Sequence, residues 1–77
     1  MRSFRQIVDL WPSPTAMALD VGAPVESVRK WRQRDRIPAQ YWEAVARSPP
    51  AESAAVTSSL MARLLAARPR RRRSAQM

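Results

Sequence analysis

Apolar residues recur along this chain at helical spacing, and prolines cut the pattern into short pieces. Phe4, Ile7, Val8 and Trp11 fall at i, i+3, i+4 and i+7, which is one apolar stripe on a helix of about two turns. Ser3 is placed to cap that helix and Pro12 to end it. Ser13-Pro14 repeats the start signal, a cap followed by proline at the first helical position. The second helix then runs through Met17 and Ala18 to Val21, and Gly22 follows where a helix ends in a left-handed residue. Pro24 opens a third helix reaching about Arg34, with Val28 and Trp31 inward. Ile37-Pro38 breaks it and starts a fourth, with Trp42 and Val45 inward. Ser48-Pro49-Pro50 reads as a stop, and residues 51–55 fit loop or helix. Thr57 is a candidate N-cap for a fifth helix, with Val56 and Met61 at hydrophobic-staple spacing around it. Leu60, Met61, Leu64 and Leu65 form its apolar face, which ends near Ala67. No piece alternates with period two, so strands are not expected. The pattern predicts an all-α fold of five helices over 1–67, followed by a tail at 68–77 that is expected to be disordered.

Composition narrows the chemistry. With 77 residues the chain holds one small domain with a marginal core. It has no cysteine and no histidine, which removes disulfides, thiol catalysis, the usual zinc sites and imidazole acid–base chemistry. Its single glycine is too few for a phosphate-cradling loop, and its six acidic residues show no paired spacing. The expectation is a protein without catalytic activity, cofactor or metal. No run approaches 18 apolar residues, and no apolar stretch follows Arg2 and Arg5, so neither a membrane span nor a secretory signal is expected. A cytoplasmic, nucleoid-associated location follows from that and from the charge.

Charge changes the picture most. Fourteen basic residues, thirteen of them arginine, stand against six acidic ones for a net +8. The excess is concentrated. Residues 29–36 carry Arg29, Lys30, Arg32, Arg34 and Arg36 against Asp35, a net +4, and residues 63–77 carry six arginines and no acid. The segments 1–28 and 37–62 each sum to −1. Two basic clusters on a near-neutral chain point to a nucleic-acid partner.

The first cluster falls on an informative pattern. Ala18, Gly22, Val28 and Trp31 lie at relative positions 0, 4, 10 and 13. Two helices crossing steeply need a small residue where they touch, a residue tolerant of positive φ in the turn, and apolar residues inside the second helix. These four supply all three needs. The plain alternative is a helical hairpin in a small bundle with no DNA role. On these residues, 7–47 resemble the Cro/C1-type helix-turn-helix of phage repressors. Ile7-Val8-Asp9-Leu10-Trp11 is similar to the first helix of short prophage-type regulators. The run from Trp31-Arg32-Gln33-Arg34 through Ile37-Pro38 to Tyr41-Trp42 is similar to the Trp-basic, Ile-Pro and aromatic-pair arrangement that follows their recognition helix. The resemblance covers just over half of the chain, with 14–34 as the helix-turn-helix unit. It implies a five-helix domain that binds specific DNA, usually as a dimer or as paired monomers. Ala23 stands where many relatives carry a Ser or Thr cap, a change worth on the order of 1 kcal/mol in the first turn. Asp20-Val21 replaces the more usual Leu before Gly.

With Val28 and Trp31 inward, the opposite face of the third helix presents Val25, Glu26, Arg29, Lys30 and Gln33, the candidate base-contacting set. Arg29 can fork onto guanine, Gln33 can pair with adenine, Glu26 can accept from cytosine, and Val25 can meet a thymine methyl. Glu26 equally fits an i, i+4 partner of Lys30, and the basic residues a solvated helix face. Arg32, Arg34 and Arg36 are candidates for phosphate, or for compensating the helix dipole. Ser13 and Thr15 are candidates for phosphate at the start of the second helix, where Ser13 is better read as a cap. Arg70, Arg71, Arg72 and Arg73 in the tail would add sequence-independent attraction. The tryptophans fit core packing better than stacking on single-stranded bases. The expected function is a transcriptional regulator that binds double-stranded DNA, a phage-type repressor acting by occlusion, as a homodimer through the fifth helix or its loop. Two alternatives stand beside it. One is an antitoxin or operon autoregulator that binds a partner protein through the segment after Ser48. The other is a non-specific nucleic-acid module driven by the tail.

Overall fold

The computed structural model describes residues 2–67, and these are all-helical. In chain order they form α1 (Phe4–Val8), α2 (Pro14–Val21), α3 (Val25–Arg34), a 3-10 turn (Ala39–Tyr41), α4 (Trp42–Arg47), α5 (Pro49–Ser53) and α6 (Ser58–Ala67). The expected tail at 68–77 lies outside the described residues.

Six α-helices stand where five were predicted, and prolines explain the difference. Pro49-Pro50, read as a stop, occupies the first turn of α5. A helix needs no N–H from its first residues, so two prolines there cost no intrahelical bond. The predicted fourth helix divides at Tyr41, whose ψ of −5° leaves α-helical values before α4 begins at Trp42. The first helix is also shorter than its stripe. After Val8 the amides of Leu10 and Trp11 bond back three residues, to Ile7 and Val8 at 3.1 and 3.2 Å, and this tighter winding still turns Trp11 inward.

The predicted caps at Ser3, Ser13 and Thr57 form. Their hydroxyl oxygens accept from the amides of Gln6, Ala16 and Leu60 at 3.2, 3.1 and 3.1 Å. The cap of α3 is Pro24 rather than Ala23, and no side chain closes that first turn.

Three helices are closed by a residue with positive φ: Gly22 (73°) and Asp35 (56°) at the caps of α2 and α3, and Ala55 (60°) one residue past the Ala54 cap of α5. In each case the next amide reaches the carbonyl five residues back: Ala23 to Ala18 at 3.1 Å, Arg36 to Trp31 at 2.9 Å and Val56 to Ala51 at 2.8 Å. Only glycine adopts this conformation freely. Asp35 is held there by its carboxylate, which accepts from the Arg5 amide at 2.9 Å. Ala55 has only its methyl group and bears the strain.

The core gathers Phe4, Ile7 and Val8 of α1, Met17, Ala18 and Val21 of α2, and Val28 and Trp31 of α3, and it is closed by Ile37, Val45, Val56 and Met61. α3 lies against both α1 and α2, while α4 joins α2 to α6. Trp11 and Trp31 are buried; Trp42 is half-buried, stacked on Phe4 at 6.3 Å between ring centroids. The indole N–H groups of Trp11 and Trp42 are satisfied, the first by the Asp20 carboxylate and the second by the Ile37 carbonyl, each at 2.7 Å. No helix among the described residues is long and apolar enough to cross a membrane.

The helix stops generate a paired prediction. A Cβ added at Gly22 would meet no atom within 4 Å, so Gly22→Ala carries only backbone strain and should lower stability by about 1 kcal/mol. Ala55→Gly relieves the same strain and should raise stability by up to about 1 kcal/mol. Urea unfolding of both variants is the check, and midpoints moving in the same direction would refute the account.

Candidate functional site

The site is built on α3. Val28 and Trp31 fasten the helix to the core, and a step of about 100° per residue places Glu26, Arg29, Lys30 and Gln33 on the side facing away. All four are exposed. Val25 is half-buried and packs against the core, so only part of its side chain borders this face. Glu26 pairs with Arg29 at 3.1 Å, three residues on, and not with Lys30 four residues on. Both partners are well over half exposed, so the contact is a weak surface pair that a stronger ligand can open.

The two edges of this face differ. On the α1 side the Arg32 guanidinium makes a two-pronged contact with Asp9, Nε to Oδ1 at 2.7 Å and Nη2 to Oδ2 at 3.2 Å. Arg5 Nε donates to the Arg32 carbonyl at 3.1 Å, beside the bond from the Arg5 amide to Asp35. The last turn of α3 is thereby tied to α1 and the residue after it through contacts between positions 23 to 30 residues apart in sequence. Hydrogen bonding from Arg32 holds the Asp9 carboxyl below its ordinary value; desolvation opposes it, and the charges of Arg32 and Arg5 add to the lowering. The same contact raises the Arg32 pKa. Arg32, a phosphate candidate in the sequence, is thus drawn toward α1.

The other edge is cationic. Ser27, Lys30, Trp31 and Arg34 form one wall of an open groove of about 500 Å³, and Arg36, Pro38 and Ala39 form the other. Lys30 therefore borders both the outward face and the groove. Arg34 and Arg36 are exposed at the end of α3 and just beyond it. Ser13 and Thr15 occupy the start of the neighbouring helix, where the Ser13 oxygen is engaged as the cap of α2 and Thr15 is exposed. Arg70, Arg71, Arg72 and Arg73 lie outside the described residues. On α6, Leu60, Leu64 and Leu65 are half-buried while Met61 is fully buried.

Sequence reasoning missed Asp9 and Arg5 as partners of α3, and no local signal marks a contact between such distant residues. It also missed Ser27. The spacing of Ser27, Lys30, Trp31 and Arg34 at i, i+3, i+4 and i+7 carries that signal, but only the returning chain at 36–39 turns the stripe into a groove. No protein-family model matches this chain, and comparison with curated proteins and with solved structures gives no match.

The Asp9–Arg32 pair predicts a pH effect with a definite sign. Because the folded carboxyl is more acidic than the ordinary 3.8, the pair stabilises the fold above that value and the contribution is lost as pH falls through the lowered one. Asp9→Asn should therefore be less stable than the parent at neutral pH, with the gap closing in acid. Carboxyl NMR should find Asp9 titrating below 3.8, and Arg32→Gln should bring it back up; an Asp9 titration that Arg32→Gln leaves unmoved would sink the assignment.

Proposed function

We propose that this protein is a sequence-specific, double-stranded DNA-binding regulator of the Cro/C1-like helix-turn-helix kind, with α2 and α3 as its two helices and α3 as the helix that enters the major groove. The observation that carries the reading is the outward face of α3, where Arg29, Lys30, Gln33 and Glu26 stand exposed on a helix whose other side is locked into the core. A major groove about 12 Å wide admits such a helix, and these residue types match the donor and acceptor edges of its bases.

In this reading Arg29 leaves or shares Glu26 to place its fork on guanine. Gln33 reads adenine, Glu26 accepts from cytosine, and the free part of Val25 meets a thymine methyl. Lys30, Arg34 and Arg36 sit where the flanking strand passes and take its phosphates, with Ser13 and Thr15 serving the strand beside α2. Arg32 acts through Asp9, fixing the angle of α3 and leaving phosphate to its neighbours. Arg70, Arg71, Arg72 and Arg73 add attraction independent of sequence. One copy offers few base contacts, so a homodimer joined through the Leu60, Leu64 and Leu65 side of α6 would raise affinity and set half-site spacing. Bound at an operator, the protein blocks polymerase and acts as a repressor of phage type in the cytoplasm.

Selection from a pool of randomised duplexes should enrich one motif. Arg29→Ala should then lose on the order of tenfold to a hundredfold in preference for that motif over a shuffled duplex. Arg36→Ala should weaken both duplexes alike and reduce the salt slope by about 0.9. A pool that enriches nothing, with a steep salt slope and no effect of Arg29→Ala, would overturn the proposal.

A further inference from the structure

The groove beside α3 has a chemistry that the outward face does not share. Its volume of about 500 Å³ lies within the range of small-ligand sites. Three of its seven lining residues, Lys30, Arg34 and Arg36, are cationic, and none is acidic. The apolar part of the lining is the Pro38 ring and the Ala39 methyl group, with the narrow edge that buried Trp31 leaves accessible. Trp31 is braced by Tyr41 at 4.8 Å between ring centroids, so that edge is fixed before any ligand arrives. Ser27 adds one hydroxyl at the rim.

A ligand that satisfies all of this carries concentrated negative charge at one end and a flat, largely apolar body at the other. Arginine forks and a lysine suit phosphate oxygens. A simple polyanion would leave the apolar lining uncovered, and a neutral ring would make no use of the cationic lining. We propose that the groove binds a free nucleotide, with its phosphates on Lys30, Arg34 and Arg36, its ring against Pro38, Ala39 and the accessible edge of Trp31, and its sugar or phosphate within reach of Ser27. Binding does not depend on the DNA reading, but one consequence rests on it. Lys30, Arg34 and Arg36 are also the proposed phosphate contacts of the duplex, so nucleotide and DNA exclude one another, and each weakens the other by the same factor.

The test uses the full chain and NMR. The indole N–H groups of Trp11 and Trp42 are held by Asp20 and the Ile37 carbonyl and serve as internal references, while the Trp31 indole and the Ala39 amide report on the groove. Titration with ATP should move the two groove signals saturably. Tripolyphosphate, which has the charge without the ring, should act about tenfold more weakly, and adenosine more weakly still. Arg36→Ala should weaken ATP about tenfold, whereas Arg63→Ala on α6 should leave it unchanged. Unmoved Trp11 and Trp42 signals certify that each variant is folded. Groove signals that ignore ATP, equal binding of ATP and tripolyphosphate, or indifference to Arg36→Ala would each overturn the proposal. These readouts need no duplex, so a chain that binds no DNA still decides the matter. Where a duplex has been selected, its displacement by ATP reads the exclusion separately.

Discussion

α3 is attached to the molecule by two buried side chains, Val28 and Trp31, and that attachment decides what the rest can be. The helix has ten residues, four of them cationic against Glu26 alone, and no side chain caps its first turn. A peptide of that length and charge would not hold a helix in water, since nucleation is costly and like charges at i, i+3 and i+4 repel. Its helicity is therefore a tertiary property. α1 and α2 bury its inner stripe, and the Gly22 corner delivers it to them at the angle they require. The left-handed stop at Asp35 ends it before Ile37 turns back into the core.

Because the anchoring is one-sided, the exposed surface of α3 divides into strips with different fates. The strip toward α1 is consumed internally: Arg32 meets Asp9, and Arg5 grips the Arg32 carbonyl and Asp35. The middle strip carries a short acid–base pair, Glu26 and Arg29, beside Gln33 and Lys30. The strip toward 36–39 has cations and no acid among its lining residues. Composition alone gives a uniformly basic helix. The structure pairs one edge with Asp9 and places cations without an acid among the lining residues on the other, so an anionic partner would be drawn to that side before any base is read.

Much of this was legible in the sequence where the signal is local. The apolar stripes of α2 and α3, the caps at Ser3, Ser13 and Thr57, and the glycine stop at Gly22 depend on residues within a turn or two of each other, and each forms as read. The outward position of Glu26, Arg29, Lys30 and Gln33 follows from period alone once Val28 and Trp31 are placed inside. What the sequence hid is tertiary or ambiguous by nature. Pro49-Pro50 can end one helix or begin another, and only burial of Ala51 against the core selects the second. Asp35 and Ala55 are not glycine, so nothing local announces their positive φ; Asp35 is held by a residue thirty positions away. Trp42 sits on an inward stripe yet stays half-buried, because its indole N–H must reach the Ile37 carbonyl.

These constraints connect stability to binding. A domain this small keeps a narrow margin over the unfolded chain, and the cations gathered at one edge of α3 reduce it by mutual repulsion. Asp9 is engaged by Arg32 and Glu26 by Arg29, so those two carboxylates are not theirs. An anion seated among Lys30, Arg34 and Arg36 would relieve the repulsion in the folded state and find no equivalent cluster in the unfolded one. It would thus stabilise the fold by an amount that grows with the logarithm of free ligand once its concentration exceeds Kd. The edge of α3 that costs the free protein stability is the same edge that gives a phosphate-bearing ligand its affinity.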